Sequence, residues 1–376
     1  MISLARKSLV RELHRYIPAI LAICFAGVLL FVQAALVLGI FGSAAVYVTS
    51  SSANLWIGYP GTQSVNLGRG INNDIEMLLL MNKNISAVEP LIWVDSDWRS
   101  SNTRGGVSVF TIGINPHNNG IIFDKVLPAH LRPLLMEPGA VIIDRADLDQ
   151  LGVRSGDFAW IDGKHVHVVA TANNLRALGG VNVLCSLETA RTLASSRDIG
   201  KVTYWVAKLK NVSAASATIN ELIGKSSFGN FEVWTDNQFA LRSQFYWMLD
   251  TGAGVAVLFM AAIVMLVGIV VASQALMSVV ISAAREYATL NALGVGMAAL
   301  RRVILEQSAW IGSIGLILSA AVSAVLLTFA KSRDVPVDVT PIMTLVWAAV
   351  VLGIALLSGL IAMRGLLRAD PSSLLR

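Results

Sequence analysis

His165 and His167 stand two apart in a run that reads as a β-strand, so both imidazoles would point to one face and could seed a metal site. No Cys, Asp or Glu of ligand spacing accompanies them, and an ordinary exposed strand face is the favoured reading. Asp144, Asp147 and Asp149 bring carboxylates together, but the central Gly and closing Glu of an EF-hand loop are missing. Helix capping and a solvated face account for them better. Gly224-Lys225-Ser226 looks like the end of a phosphate-binding loop, yet that motif needs a Gly where Ile219 stands. Nucleotide hydrolysis by this route is excluded. Cys24 falls in an apolar run and Cys185 in the long polar segment, so a bridge between them is not expected and the fold should not depend on a disulfide. The expectation is a non-catalytic chain with no cofactor or metal of its own.

What must position these residues is set by the solvent the chain lives in. There is no Asp, Glu, Lys or Arg between Arg15 and Arg69, and the apolar part of that gap runs from Tyr16 to about Val48. Thr251 to Ala284, Gln307 to Ala330 and Val339 to Met363 are also uncharged. A bilayer core of about 30 Å is crossed by roughly 20 helical residues, so four transmembrane helices are expected. The first two runs exceed that length, which predicts helical stalks beyond the lipid. The composition agrees: 55% hydrophobic, 14% charged, mean hydropathy +0.65. The first run is too long for the core of a cleaved signal peptide. Only Gln33 and Gln274 interrupt the deeper parts of the first two spans, which disfavours an ion-coupled carrier. Gly312, Gly315, Ser319 and Ser323 recur at helical spacing along the third span and predict a face that a second helix approaches closely.

The net charge of +5 resembles a nucleic-acid footprint until its distribution is considered. Cations and anions nearly balance over residues 49–250, and the excess flanks the spans. Arg6, Lys7, Arg11 and Arg15 precede the first span, Arg285, Arg301 and Arg302 separate the second from the third, and Arg364, Arg368 and Arg376 follow the fourth. The positive-inside rule puts these segments, and both termini, in the cytoplasm, against mild dissent from Lys331 and Arg333. Residues 49–251 are then outside. The expected order is an interfacial amphipathic helix over 1–16, span and stalk over 17–48, the outer domain over 49–251, and span and stalk over 252–284. A cytoplasmic segment over 285–306, spans over 307–330 and 340–363 around a short external loop at 331–339, and a tail over 364–376 complete it.

The outer segment is long enough to fold by itself. Helical patterns at 72–82, 144–151, 186–195 and 212–225 alternate with β-rich runs at 107–113, 140–143, 158–161, 165–170, 201–208 and 231–234. This predicts a mixed α/β domain, with Asp162-Gly163 as a hairpin turn and Trp247 as an aromatic anchor at the outer interface.

Between the second and third spans, Ala283, Tyr287, Leu290 and Gly294 fall on one helical stripe beside Arg285 and Glu286. Gly294-Val295-Gly296 ends that helix and a second, from Met297, carries Arg301, Arg302 and Glu306 into the third span. A short amphipathic helix between two spans is shaped to dock in a partner's groove. The string R-E-x-A-T-L-x-A-L-G from Arg285, then R-R-V-I-L-E-Q from Arg301, resembles the coupling segment of MacB/FtsX-type ABC transporter permeases. The stretch from Leu151 to Asp157 (LGVRSGD), that from Tyr246 to Gly254 (YWMLDTGAG) and the tail from Arg368 to Arg376 agree, and YWMLDTGAG is most similar to the DevC branch. The resemblance implies a homodimer working with a separate cytosolic ABC ATPase that holds ATP and Mg. Arg285, Glu286, Tyr287, Leu290, Leu293 and Gly294 would form the ATPase-coupling site. It further implies export with a periplasmic adaptor and an outer-membrane channel, in contact with membrane lipids and no nucleic acid. The alternatives are a transducer of the FtsX sort that activates a cell-wall hydrolase, and a permease that releases lipoproteins.

Overall fold

The computed structural model describes residues 13–101, 105–194, 200–223, 230–283, 289 and 296–368. The chain divides into two compact units, one of residues 1–39 with 256–376 and the other of residues 40–255.

Among the described residues four helices are long and apolar enough to cross a membrane. The first (α1) is Leu13–Ser43, the second Gly252–Ser282, the third Met297–Ser332 and the fourth Pro341–Arg368. Of the interfacial helix expected over 1–16, residues 1–12 lie outside the described residues; residues 13–16 form the first turn of α1, and Tyr16 is fully buried. In the membrane unit the Trp347 indole donates to the Gly27 carbonyl at 2.9 Å and its ring lies 4.5 Å from Phe31. The loop before the fourth span closes on the first, Asp338 N donating to Ala35 O at 3.1 Å. A Cβ on Gly39 would overlap the Pro336 backbone there, so this position needs a glycine.

The outer unit is built on one long strand. In chain order come α2 (Val46–Thr49), β1 (Leu55–Gly58), β2 (Ile71–Asn72), α3 (Ile75–Leu80), β3 (Ile85–Arg99) and β4 (Val107–Ile114). Then follow β5 (Ala140–Asp144), α4 (Leu148–Leu151), β6 (Phe158–Ile161), β7 (Lys164–Ala172), β8 (Val181–Ser186) and α5 (Leu187–Leu193). The remainder is β9 (Lys201–Val202), β10 (Tyr204–Leu209), α6 (Ala215–Ile223), β11 (Glu232–Thr235) and α7 (Asp236–Phe245). Strands β11, β1, β10 and the first half of β3 lie side by side, all antiparallel. With α3 and α6 as crossovers this is a split β-α-β, the ferredoxin-like arrangement. The second half of β3 pairs with β4, and β4-β8-β5-β7-β6 returns to β3 at Trp98 and Arg99, closing a ring of strands. A closed ring leaves no free edge to aggregate.

Successive residues of a strand face opposite ways, and the core is sorted accordingly. Leu55 and Ile57 pack into one apolar layer and Trp56 into the other, and Val183 and Cys185 are separated from Leu184 in the same manner. Strands β1 and β8 are buried on both faces, so they lack the alternation that marks a half-exposed strand and were not anticipated. β3 was hidden by Pro90. That residue pairs only with β10, because β4 joins from Ile92 onward, so its missing N–H falls on an unpaired edge.

Candidate functional site

The stripe on the third span divides between two neighbours. A Cβ on Gly312 would sit 2.8 Å from the Ala355 Cβ of the fourth span, and one on Gly315 would meet Ile23 of the first at 2.7 Å. Ser319, fully buried, lies against Gly27 of the first span, and Ser323 is buried with its hydroxyl unpartnered. Small residues here let backbones approach, and dispersion over that contact substitutes for the absent hydrophobic drive in lipid. The second span is different: most of its large apolar residues, Phe259, Met260 and Leu266 among them, are exposed within the chain. Its Ser273 hydroxyl meets that of Ser358 on the fourth span at 2.8 Å. The coupling residues Arg285, Glu286, Tyr287, Leu290, Leu293 and Gly294, and the Gly224-Lys225-Ser226 string, lie outside the described residues.

Two short segments join the first and second spans to the outer fold. After Ser43 the chain turns into α2, where Tyr47 and Val48 are buried. The Tyr47 hydroxyl donates to Asn182 Oδ1 on β8 at 2.6 Å, while its ring meets Trp93 at 4.9 Å and Phe123 at 5.8 Å. Asn182 in turn donates to the Leu175 carbonyl. Ser51, also buried, donates to Tyr47 O at 2.5 Å and accepts from Phe123 N at 3.0 Å. Ser52 N donates to Ile121 O and Lys125 N to Ser50 O, so the loop at 121–125 grips the segment.

That loop is itself clamped by two buried charged residues, Glu89 and Arg132. Glu89 on β3 accepts backbone N–H groups from Asn115 (3.0 Å), Ile121 (2.5 Å) and Ile122 (3.3 Å). Arg132 donates to the carbonyls of Asn115 and Ile122 from the other side. Burial pushes the Glu89 carboxyl above the usual carboxylate value, opposed by these donors and by Arg132. Burial lowers Arg132 likewise, and Glu89 and Asp124 oppose the change. Neither residue belongs to a sequence motif. Their partners are backbone groups that no periodicity reveals.

Ahead of the second span, α7 ends at Phe245 and the chain widens into a π-turn over Tyr246–Asp250 before Thr251 breaks it with extended geometry. Trp247 sends its indole N–H to Ser64 Oγ (3.2 Å) and Asn66 Oδ1 (3.3 Å), so its polar end is committed inside the domain and not to headgroups. Thr251 donates to Trp247 O at 2.7 Å and its oxygen accepts from Gly254 N at 3.0 Å, capping the span helix. A Cβ on Gly254 would overlap the Trp247 carbonyl oxygen and approach that of Met248 at 2.8 Å. Gly254, the last residue of YWMLDTGAG, is therefore a steric requirement of this turn.

Residues 258–371 match the family model described as FtsX-like permease C-terminal. The chain carries an FtsX-like permease domain. It is a multi-pass membrane protein with its α/β domain between the first and second spans. The chain is also similar to the extracellular domain of the noncanonic ABC-type transporter YknZ from Gram-positive bacteria. That match has 13% identity and a TM-score of 0.35, covering 48% of this chain and 99% of that one. A second similar structure is the periplasmic region of MacB from Actinobacillus actinomycetemcomitans, at 13% identity and a TM-score of 0.37, covering 52% and 94%. No curated protein matches the chain.

The residues singled out for chemistry are engaged structurally. His167 faces Glu137 at 3.6 Å and stacks with Phe158, and His165 accepts from the Trp160 indole at 3.3 Å. Among the described residues no group of three or more His, Cys, Asp or Glu could hold a metal ion. The acidic trio separates by role. Asp144 caps the turn at Ala146 and accepts from Leu175 N, Asp147 pairs with Arg176 at 2.9 Å, and Asp149 is exposed. Cys24 and Cys185 are both free thiols, and burial pushes that of Cys185 well up, out of reach of ionisation at neutral pH.

Proposed function

We propose that this permease is the membrane subunit of an ABC-type exporter. It passes the motion of a separate cytosolic ATPase to its periplasmic domain and works as a homodimer with an adaptor and an outer-membrane channel. ATP and Mg bind the ATPase, which docks on the helix around Tyr287 and Leu290. The cationic flanks of the spans support this orientation in a bacterial inner membrane. The observation that carries the reading is the seating of Tyr47. Four residues past the end of the first span helix, it is buried and hydrogen-bonded to a strand of the outer barrel, so displacement of the helix end is delivered to the domain and not lost in a loop. The YWMLDTGAG motif favours export over activation of a cell-wall hydrolase.

The test is reconstitution with the cognate ATPase in nanodiscs. Tyr287→Asp and Leu290→Asp each put a charge on the apolar stripe and should abolish co-purification and permease-stimulated ATP hydrolysis, with the outer domain's melting unchanged. Full stimulation in both variants would remove the docking assignment.

A further inference from the structure

Between the ferredoxin-like half and the barrel lies a cleft of about 850 Å³, within the range of small-molecule sites. Its floor is apolar, with Ile92, Leu193 and Val202 buried. The half-buried Trp93 forms a wall: its indole N–H is fixed on Asp95 Oδ1 at 3.0 Å and its backbone N–H on Thr203 Oγ1 at 2.9 Å. One lip is the segment 66–70. Gly68 lies so close to β10 that a Cβ would overlap Thr203 and Tyr204, so the lip is pressed into place before any ligand arrives.

The charges on the rim are unequal in what they already do. Asp95 is engaged by Trp93, and Asp162 accepts from Asp97 N at 2.9 Å. Arg191 and Lys201 are exposed and form no ion pair with a described residue, while Arg69 lies over the Tyr59 ring at 5.4 Å. Three cations, Arg69, Arg191 and Lys201, against two carboxylates, Asp95 and Asp162, leave a net positive mouth over an apolar floor. The same lip has a mechanical neighbour. Asn66 lines the cleft and accepts from Trp247, the residue in the π-turn ahead of the second span.

We propose that the cleft binds a small organic anion bearing a carboxylate or phosphate beside an apolar group, and that Asn66 relays occupancy to the turn at Tyr246–Asp250. The relay deepens the transmission reading above and rests on it for its purpose; binding does not. Full-length permease in nanodiscs is titrated calorimetrically with phenyl phosphate, inorganic phosphate and citrate, with phenol as the uncharged control. Phenyl phosphate should bind saturably and phenol should not. Arg191→Ala combined with Lys201→Ala should weaken binding at least tenfold, and added salt should do so in the parent. No saturable binding by any of the three anions, or an affinity unchanged in the double variant, overturns the site. Hydrogen exchange then tests the relay. Bound phenyl phosphate should change protection of the 246–250 amides in the parent but not in Asn66→Ala; an unchanged parent, or a full response in the variant, overturns it. Neither measurement needs the ATPase, so failure here leaves the exporter reading intact, and loss of docking by Tyr287→Asp leaves this site intact.

Discussion

The two segments that tie the outer domain to its spans solve the same task with opposite materials. The one after the first span is set in the core: Tyr47, Val48 and Ser51 are buried, and the hydroxyl of Tyr47 reaches a barrel strand through Asn182. The one before the second span is a widened helical turn with Leu249 exposed and the half-buried Trp247 held by one shared N–H. A buried aromatic with a satisfied hydroxyl moves only with its surroundings, because rotation would create a void and an orphaned polar group. A π-turn gives way more readily, since its hydrogen bonds are few and face water. The first segment is therefore a rigid coupling and the second a compliant one.

The largest effect should come from unseating that ring. Tyr47→Ala should cost the outer domain about 3–5 kcal/mol by cavity formation, and Tyr47→Phe about 1–3 kcal/mol by stranding Asn182, read from thermal unfolding of the full chain. If alanine left the melting transition in place, the rigid half of the contrast would be lost. Gly254→Ala should act on the other segment. Its Cβ would overlap the Trp247 carbonyl oxygen and crowd the Met248 carbonyl, so the turn must open. Domain stability should hold while ATPase stimulation in the reconstituted complex falls roughly tenfold, a change of about 1.4 kcal/mol. Loss of outer-domain folding in that variant would mean that the turn is part of the core. Native-state hydrogen exchange compares the segments directly without mutation. Amides of 246–250 should exchange at least about tenfold faster than those of 47–51, as expected for local opening against near-global opening; equal rates would erase the contrast.

How far this contrast was legible in the sequence differs between the segments. YWMLDTGAG stood out by its resemblance to a family motif, and the structure gives its Gly254 a reason, a backbone that must pass close to a carbonyl. Tyr47 did not stand out. It stands at the end of an apolar run in which one more aromatic looks like membrane, and its partner Asn182 sits in a strand whose unbroken burial has no period. The four spans and the mixed α/β character followed from length and alternation. The split sheet did not, since it depends on β3 serving two sheets across Pro90, a long-range pairing that no local pattern encodes. The clamp of Glu89 and Arg132 escaped for the same reason.

The smallest effect concerns the approach to the compliant segment. Glu232 on β11 leads through α7 to the π-turn, and it accepts from Gly61 N at 2.8 Å, the Trp234 indole at 2.7 Å and Arg242 at 3.1 Å. Burial alone would raise its carboxyl, but these donors and the Arg242 charge together hold it below the ordinary value. A depressed folded value means the carboxylate's contribution is fully present above the ordinary glutamate range and is lost as pH falls through the folded one. With Glu232 about a third exposed the contribution is small. Glu232→Gln should therefore melt slightly below the parent at neutral pH, with the two curves converging once acidification passes below that range. A gap between parent and variant that persisted undiminished into acid would show that the donors around Glu232 do not read its charge.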